Sequence, residues 1–120
     1  MTRTDNTAHP ALCAEQRIVA GTRVVTLRGQ LDHDVKDQLS QALSTQQNAG
    51  EPRTVADLSE VTFMDSSGLN VFIAAHRQAS SVGGWVRIAA AQQPVLRILQ
   101  LVGIDTLITC HPSVEQALAE

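Results

Sequence analysis

Strand-like and helix-like apolar patterns alternate along almost the whole chain, and this alternation constrains the fold more than any other feature. The first two patterns, residues 12–20 and 22–28, are typical of strands, and Gly21 between them predicts a tight hairpin turn. Within the second, Val25 and Leu27 lie on one face, as the two-residue period of a strand requires. Three further strands are expected, at about residues 53–57, 85–90 and 107–109.

Four segments with helical spacing separate or follow these strands. Asp32 or Asp34 can cap the first helix, which runs out at residues 48–52, and Gly83 and Gly84 end the second. Pro94 suits the first turn of the third helix, and Ser113 with Gln116 forms a capping-box pattern at the fourth. The first three apolar stripes are Val35, Leu39, Ala42 and Leu43; Leu69, Phe72, Ile73, His76 and Ala79; and Val95, Ile98, Leu99 and Val102.

The resulting order is β-β-α-β-α-β-α-β-α, which belongs to the α/β class. Such alternation predicts a small mixed, mainly parallel sheet flanked by about four helices. A chain of 120 residues suits one domain. We expect a flexible N-terminal tail over residues 1–11, which are polar and contain Pro10, followed by one domain over residues 12–120.

Composition and charge exclude several functional classes. The net charge is −3 and the nine basic residues are scattered, which argues against electrostatic binding of nucleic acid. Only one Trp and two Phe occur and no Tyr, so stacking platforms for single strands are also missing. The N-terminus has no apolar signal-peptide core, and no apolar stretch approaches the ~20 residues of a membrane span. A cytoplasmic protein that does not contact a membrane is therefore expected.

The two cysteines, Cys13 and Cys110, are too few for a disulfide scaffold and too far apart for a C-x-x-C motif. We expect two reduced thiols, while a regulatory disulfide between them stays open because sequence does not give their separation. His33 lies between two aspartates, but the other histidines show no metal-ligand spacing, so a solvated helix start is expected there. Neither a metal nor a cofactor is predicted.

The most informative segment is DLSEVTFMDSSGL, residues 57–69. A strand is expected to end near Asp57 and a helix to begin near Asp65 or Ser66, with a loop between them at the carboxyl end of the strand. Ligands of α/β proteins gather at such loops. Asp65, Ser66 and Ser67 are all suitable caps, and Gly68 allows another backbone or a ligand to approach closely.

Three interpretations of this segment compete. The first is that D-S-S-G only caps a helix. The second is that Ser66 accepts a phosphate, whose charge of about −1.5 to −2 the positive helix end tolerates and Asp65 repels. The third is nucleophilic catalysis by Ser66 or Ser67, which needs a base within hydrogen-bond reach. His76 lies two to three turns away on an apolar stripe and no G-x-S-x-G elbow is present, so an enzyme is not expected.

Three motifs in order resemble the STAS-domain anti-sigma-factor antagonists. FMDSSGL resembles their phosphorylation segment, and GQLDHD at residues 29–34 resembles the G-E-L-D segment before their first helix. Residues 93–118, QPVLRILQLVGIDTLITCHPSVEQAL, resemble their C-terminal third. The resemblance covers roughly residues 12–119. In two departures, Gln30 stands where Glu is common and Asn70 where Gly is common, which bears on partner choice.

The resemblance implies a partner switch rather than an enzyme. Members of this family bind an anti-sigma factor that is also a serine kinase, release it when that kinase phosphorylates them, and are reset by a serine phosphatase. The phosphorylated serine maps to Ser66. Residues that match the partner-facing motifs are Asp32, Asp65, Ser66, Ser67, Gly68 and Leu69. The alternative is a STAS module that does not switch, acting as a scaffold or nucleotide sensor in a stress-signalling assembly. The chain lacks a G-x-x-x-x-G-K-[ST] loop, which disfavours a strong nucleotide site.

Overall fold

A tight turn at Ala20 and Gly21 joins the first two strands of the sheet. Both residues have positive φ, 51° and 85°, which matches the twist of a two-residue hairpin, and Gly21 adopts such a conformation without steric penalty.

The structure is a computed structural model that describes residues 12–44 and 52–119. The expected tail at residues 1–11, and residues 48–51 of the expected end of the first helix, lie outside these ranges. The strands and helices are β1 (Cys13–Val19), β2 (Thr22–Leu31), α1 (Lys36–Leu43), β3 (Arg53–Met64), α2 (Ser66–Ser80), β4 (Trp85–Ala89), α3 (Gln93–Leu101), β5 (Cys110–His111) and α4 (Val114–Ala119).

The five strands form one sheet in the order β1-β2-β3-β4-β5. β1 is antiparallel to β2, and the other neighbours are parallel, so the predicted mixed α/β fold is confirmed. Side chains alternate between two cores. Val25 and Ala56 belong to the main core with α1, α2 and α3, while Val24 and Val55 pack with Ala117 of α4 on the other side.

The third strand is longer than predicted. We expected it to end near Asp57, but β3 continues to Met64 and pairs with β2 throughout, so the expected loop between Asp57 and Asp65 is wrong. Two register shifts each give β3 one residue more than β2. These bulges leave the apolar residues Leu58, Val61 and Met64 buried at a spacing of three. The segment therefore lacks the two-residue period by which a strand is recognised in a sequence.

Two features near the C-terminus also differ from expectation. Val102 lies on the predicted stripe of the third helix but is 56% exposed, because α3 ends at Leu101 and the chain turns at Gly103 (φ 79°). The last strand is Cys110–His111 rather than 107–109, since a 3-10 helix at Ile104–Thr106 comes first. Ser113 caps α4 as predicted, accepting from Gln116 N at 3.1 Å.

The strand order excludes an internal disulfide between Cys13 and Cys110, the possibility that the sequence left open. Cys13 lies on β1 and Cys110 on β5, at opposite edges of the sheet. Four strand spacings separate these edges by about 19 Å. A disulfide requires Cα atoms less than about 7 Å apart.

The two thiols should therefore react independently and at different rates. Cys13 is exposed, whereas burial and the negative charge of Asp105 raise the pKa of Cys110 to about 11. Because the thiolate is the nucleophile, only about one thousandth of Cys110 is reactive at pH 8, and its rate should rise about tenfold per pH unit. Iodoacetamide labelling followed by peptide mass spectrometry measures both rates. Equal rates at pH 8, or a disulfide within the oxidised monomer, would contradict the structure.

Candidate functional site

Two parallel strands end side by side, and each is followed by an aspartate that caps a helix. Leu31 and Met64 are register partners at the ends of β2 and β3, and Asp32 and Asp65 come next. Asp65 N donates to the carbonyl oxygen of Leu31 at 3.1 Å, which ties the two segments together. The geometry therefore places the GQLD and DSSG motifs together, at the edge of the sheet formed by the carboxyl ends of β2 and β3.

The two carboxylates hold the starts of the helices. Asp32 Oδ1 accepts from Asp34 N at 3.1 Å and caps the 3-10 helix His33–Val35 that leads into α1. Asp65 Oδ1 accepts from Ser67 N at 2.8 Å and from Gly68 N at 3.2 Å, which caps α2. Of the three candidate caps in D-S-S-G, Asp65 is thus the one used, and this leaves the serine hydroxyl groups free of that task.

Ser66 is the first residue of α2 and is exposed. In the described part of the chain its hydroxyl has no hydrogen-bond partner. Ser67 Oγ lies 3.5 Å from His33 Nδ1, a contact between residues 34 positions apart that the sequence did not predict. Ser66 therefore presents an unengaged hydroxyl at the positive end of a 15-residue helix.

Gly68 and Leu69 pack beneath the exposed residues of this edge, on the core side. Both are buried, and Leu69, 8% exposed, belongs to the main core. A Cβ on Gly68 would lie 2.8 Å from the carbonyl oxygen of Leu31 and 3.0 Å from Met64 Cγ. The first turn of α2 thus packs directly on the ends of β2 and β3, as the close approach predicted at Gly68 requires.

Gly68→Ala should therefore destabilise the protein by about 1–2 kcal/mol, although alanine favours a helix over glycine by about 1 kcal/mol. The added methyl group meets a backbone oxygen that cannot move without shifting β2. Asn70→Ala, at an exposed position on the same helix, is the matched control and should be neutral or slightly stabilising. Urea denaturation measures both; a Gly68→Ala variant as stable as wild type would contradict the packing.

An exposed aromatic residue that the sequence analysis did not single out lies next to this edge. Phe63 is 45% exposed and faces Gln30 across the strand pair. The bulge between Val61 and Phe63 turns Phe63 out of the core while Met64 points in. Phe63 lies in the bulged part of β3, where the two-residue period is lost, so the sequence pattern does not predict that its side chain is exposed.

The arrangement does not fit a hydrolase. His76 lies ten residues along α2 from Ser66, about 15 Å by helical rise, and cannot serve as its base. Its Nδ1 is buried without a hydrogen-bond partner among the described residues. His33 approaches Ser67, but within residues 12–44 and 52–119 no carboxylate is hydrogen-bonded to its ring, which a triad would need.

The described residues contain neither a metal-binding cluster nor a membrane-spanning helix. Among residues 12–44 and 52–119, no group of three or more His, Cys, Asp or Glu side chains could hold a metal ion. None of the helices within these ranges is both long and apolar enough to cross a bilayer. The surface around Ser66 is instead built of acidic caps, small hydroxyl side chains and one exposed aromatic ring, the last being a residue type enriched at protein interfaces.

Comparisons with known proteins agree with this geometry. The model of the STAS domain family matches residues 14–117. The anti-sigma F factor antagonist of Paenibacillus polymyxa is 30% identical over 104 residues, which span 83% of this chain and 86% of that protein.

Solved structures show the same architecture. An anti-sigma factor antagonist from Mycobacterium paratuberculosis superposes with a TM-score of 0.79 at 26% identity, covering 91% of this chain and 92% of that one. The Bacillus cell fate determinant SpoIIAA in the phosphorylated form gives a TM-score of 0.68 at 24% identity, over 89% and 97% of the two chains. The likeness to SpoIIAA concerns the fold alone.

Proposed function

Since this chain belongs to the STAS domain family of anti-sigma factor antagonists, we propose that it is a phosphorylation-controlled binding protein in the cytoplasm. Unmodified, it binds an anti-sigma factor that has serine kinase activity and so frees a sigma factor. Phosphate on Ser66 ends this binding, and a serine phosphatase restores it. The protein itself catalyses no reaction, and residues 12–120 act as one domain.

The observation that carries this proposal is the exposed, unengaged hydroxyl of Ser66 at the start of α2. A kinase needs a hydroxyl that it can reach, and Ser66 is exposed. The capping bonds of α2 go to Asp65 Oδ1, so a phosphate on Ser66 breaks none of them. The helix dipole also favours a negative group at this end. Modification should therefore alter the surface and leave the fold intact.

The charge around Ser66 explains why a phosphate would oppose binding. The capping carboxylates of Asp32 and Asp65 already make this edge of the sheet acidic. A phosphate adds about −1.5 to −2 charges and a large hydration shell that a closely fitting partner must displace. Covering this edge would remove water from three negative groups at once, and a buried charge that lacks an opposite partner is costly. A phosphate on Ser66 should therefore weaken the bound state.

Phe63 gives the same surface an apolar anchor. Aromatic side chains dominate the binding energy of many interfaces when a partner covers them. Phe63 is one of two phenylalanines in the chain and the other, Phe72, is fully buried. We therefore include Phe63 in the docking surface together with Asp32, Asp65, Ser66 and Ser67, while Gly68 and Leu69 hold that surface in place.

Phosphate incorporation tests the proposal. The recombinant protein is incubated with ATP and a lysate of its source organism, and peptide mass spectrometry locates the added phosphate. We expect it on Ser66, absent from Ser66→Ala and retained in the matched control Ser67→Ala. Equal phosphorylation of wild type and Ser66→Ala would contradict the switch at Ser66. No phosphate in any variant would favour the alternative of a STAS module that does not switch.

A further inference from the structure

A second site lies at the opposite end of β3 from Ser66. A cavity of about 340 Å³ opens between the β1–β2 hairpin, the starts of β3 and β4, and α4. This volume is at the lower end of the range for small-molecule sites, about 300–1,000 Å³. Two arginines and one tryptophan line it, together with apolar side chains: Arg53, Arg87, Trp85, Val19 and Leu118.

Arg87 is held in place before any ligand binds. Its guanidinium carbon lies 3.6 Å from the centroid of the Trp85 ring, and its Nη1 donates to the carbonyl oxygen of Ala117 at 2.8 Å. A guanidinium group carries five N–H donors in a planar fork. The remaining donors of Arg87 have no hydrogen-bond partner among the described residues. Arg87 is therefore an ordered cation that keeps donors available at the cavity.

The charge of this cavity contrasts with that of the chain. The protein has a net charge of −3, yet none of the described side chains that line the cavity is acidic. Guanidinium groups that line a cavity favour an anion there, and the fork geometry of Arg87 matches the two oxygens of a carboxylate or phosphate. Val19, Leu118 and the indole of Trp85 add an apolar wall beside them.

We propose that this cavity binds a small organic anion, a carboxylate or phosphate monoester attached to a short apolar body. The anionic group accepts from the remaining donors of Arg87, Arg53 adds positive charge at the cavity wall, and the apolar body packs against Val19 and Leu118. The site is independent of the switch, because it lies at the first residue of β3 while Ser66 follows the last. Its existence does not depend on the function proposed for Ser66.

Trp85 makes the test direct, because it is the only tryptophan and the chain has no tyrosine. Its fluorescence is titrated with n-butyl phosphate and with pentanoate in phosphate-free buffer, and n-butanol serves as the neutral control. We expect a saturable change with at least one anion, which weakens as salt is added, and none with n-butanol. Saturation by only one anion identifies which of the two chemical groups the site prefers.

Arginine variants separate a specific site from general charge. Arg53→Gln and Arg87→Gln should each weaken binding at least tenfold, while Arg97→Gln, exposed on α3, should leave it unchanged. If Arg87→Gln fails to fold, the affinity of Arg53→Gln for the anion still tests the site, since Arg53 is exposed and its substitution should leave the fold intact. The proposal is overturned if neither anion gives a saturable change at millimolar concentration, or if Arg53→Gln binds as wild type does.

Discussion

The Ser66→Asp and Ser66→Glu variants are expected to bind the anti-sigma partner at least about 100-fold more weakly than wild type, a loss of about 2.7 kcal/mol. The reason is electrostatic, because the new carboxylate lies beside Asp65 on the proposed docking surface, and a partner there would have to desolvate two like charges. Ser66→Ala removes only an unengaged hydroxyl and should bind within about threefold of wild type. Isothermal titration with the purified partner measures all three.

The same variants should remain folded, which separates a lost interface from a lost structure. A carboxylate at the first residue of α2 interacts favourably with the helix dipole. The melting temperatures of Ser66→Asp and Ser66→Glu should therefore stay close to that of wild type. Gln78→Glu adds one negative charge at an exposed position three turns along the same helix and is the matched control. A Ser66→Glu variant that binds as tightly as Gln78→Glu would contradict the switch.

Phe63 explains why the effect of the phosphate should be large. An apolar anchor binds only when water is expelled around it, so a charge near its rim opposes the whole contact and not one hydrogen bond. The exposed ring of Phe63 and the hydroxyl of Ser66 are three residues apart, on the strand end and the helix start of one segment. A partner that reaches both groups would exclude water from the ring and from Ser66 together.

Local signals in the sequence were sufficient for the hairpin, the helix caps and the overall order of elements. Gly21 predicts a turn because few other residues accept its φ, and Asp65 predicts a helix start because its carboxylate can accept from two backbone N–H groups. These preferences act within a few residues of the chain. They are visible without knowing what packs against them, and the structure confirms them.

The features that the sequence did not determine depend on contacts between distant segments. The end of β3 was placed too early because two bulges, fixed by pairing with β2, disturb its alternation. The contact between His33 and Ser67 depends on the alignment of two strand ends. The separation of Cys13 and Cys110 follows from strand order, which hydrophobic periodicity does not determine. In each case tertiary pairing decides the outcome.

Arg23 is a further residue whose role only the tertiary structure reveals. It lies on β2 and is only 7% exposed, unusual for a charged side chain, and burial lowers its pKa below the usual value for arginine. Its guanidinium donates to the carbonyl oxygens of Ala42 at 3.1 Å, Leu43 at 3.3 Å and Ser44 at 2.9 Å, and to Thr54 Oγ1 at 3.2 Å. These carbonyls are at the C-terminal end of α1, where helices lack internal partners and carry negative partial charge.

Arg23→Ala should therefore destabilise the protein by about 3 kcal/mol, because several carbonyl oxygens at the end of α1 lose their donor together. Arg23→Lys keeps the charge but not the planar fork, and it should recover only part of this stability. The matched control is Arg28→Ala on the same strand. Arg28 contacts Glu15 at 3.3 Å, but both side chains are largely exposed, so its loss should change stability by less than about 1 kcal/mol.

Urea denaturation followed by far-UV circular dichroism and by Trp85 fluorescence measures these differences from the midpoints at constant slope. The two probes report different parts of the molecule, since Trp85 packs on the α4 side of the sheet while α1 belongs to the main core. Coincident transitions would show that the loss at Arg23 spreads to the whole domain. If Arg23→Ala is no less stable than Arg28→Ala, the carbonyl oxygens of α1 are satisfied without Arg23, and its burial has another cause.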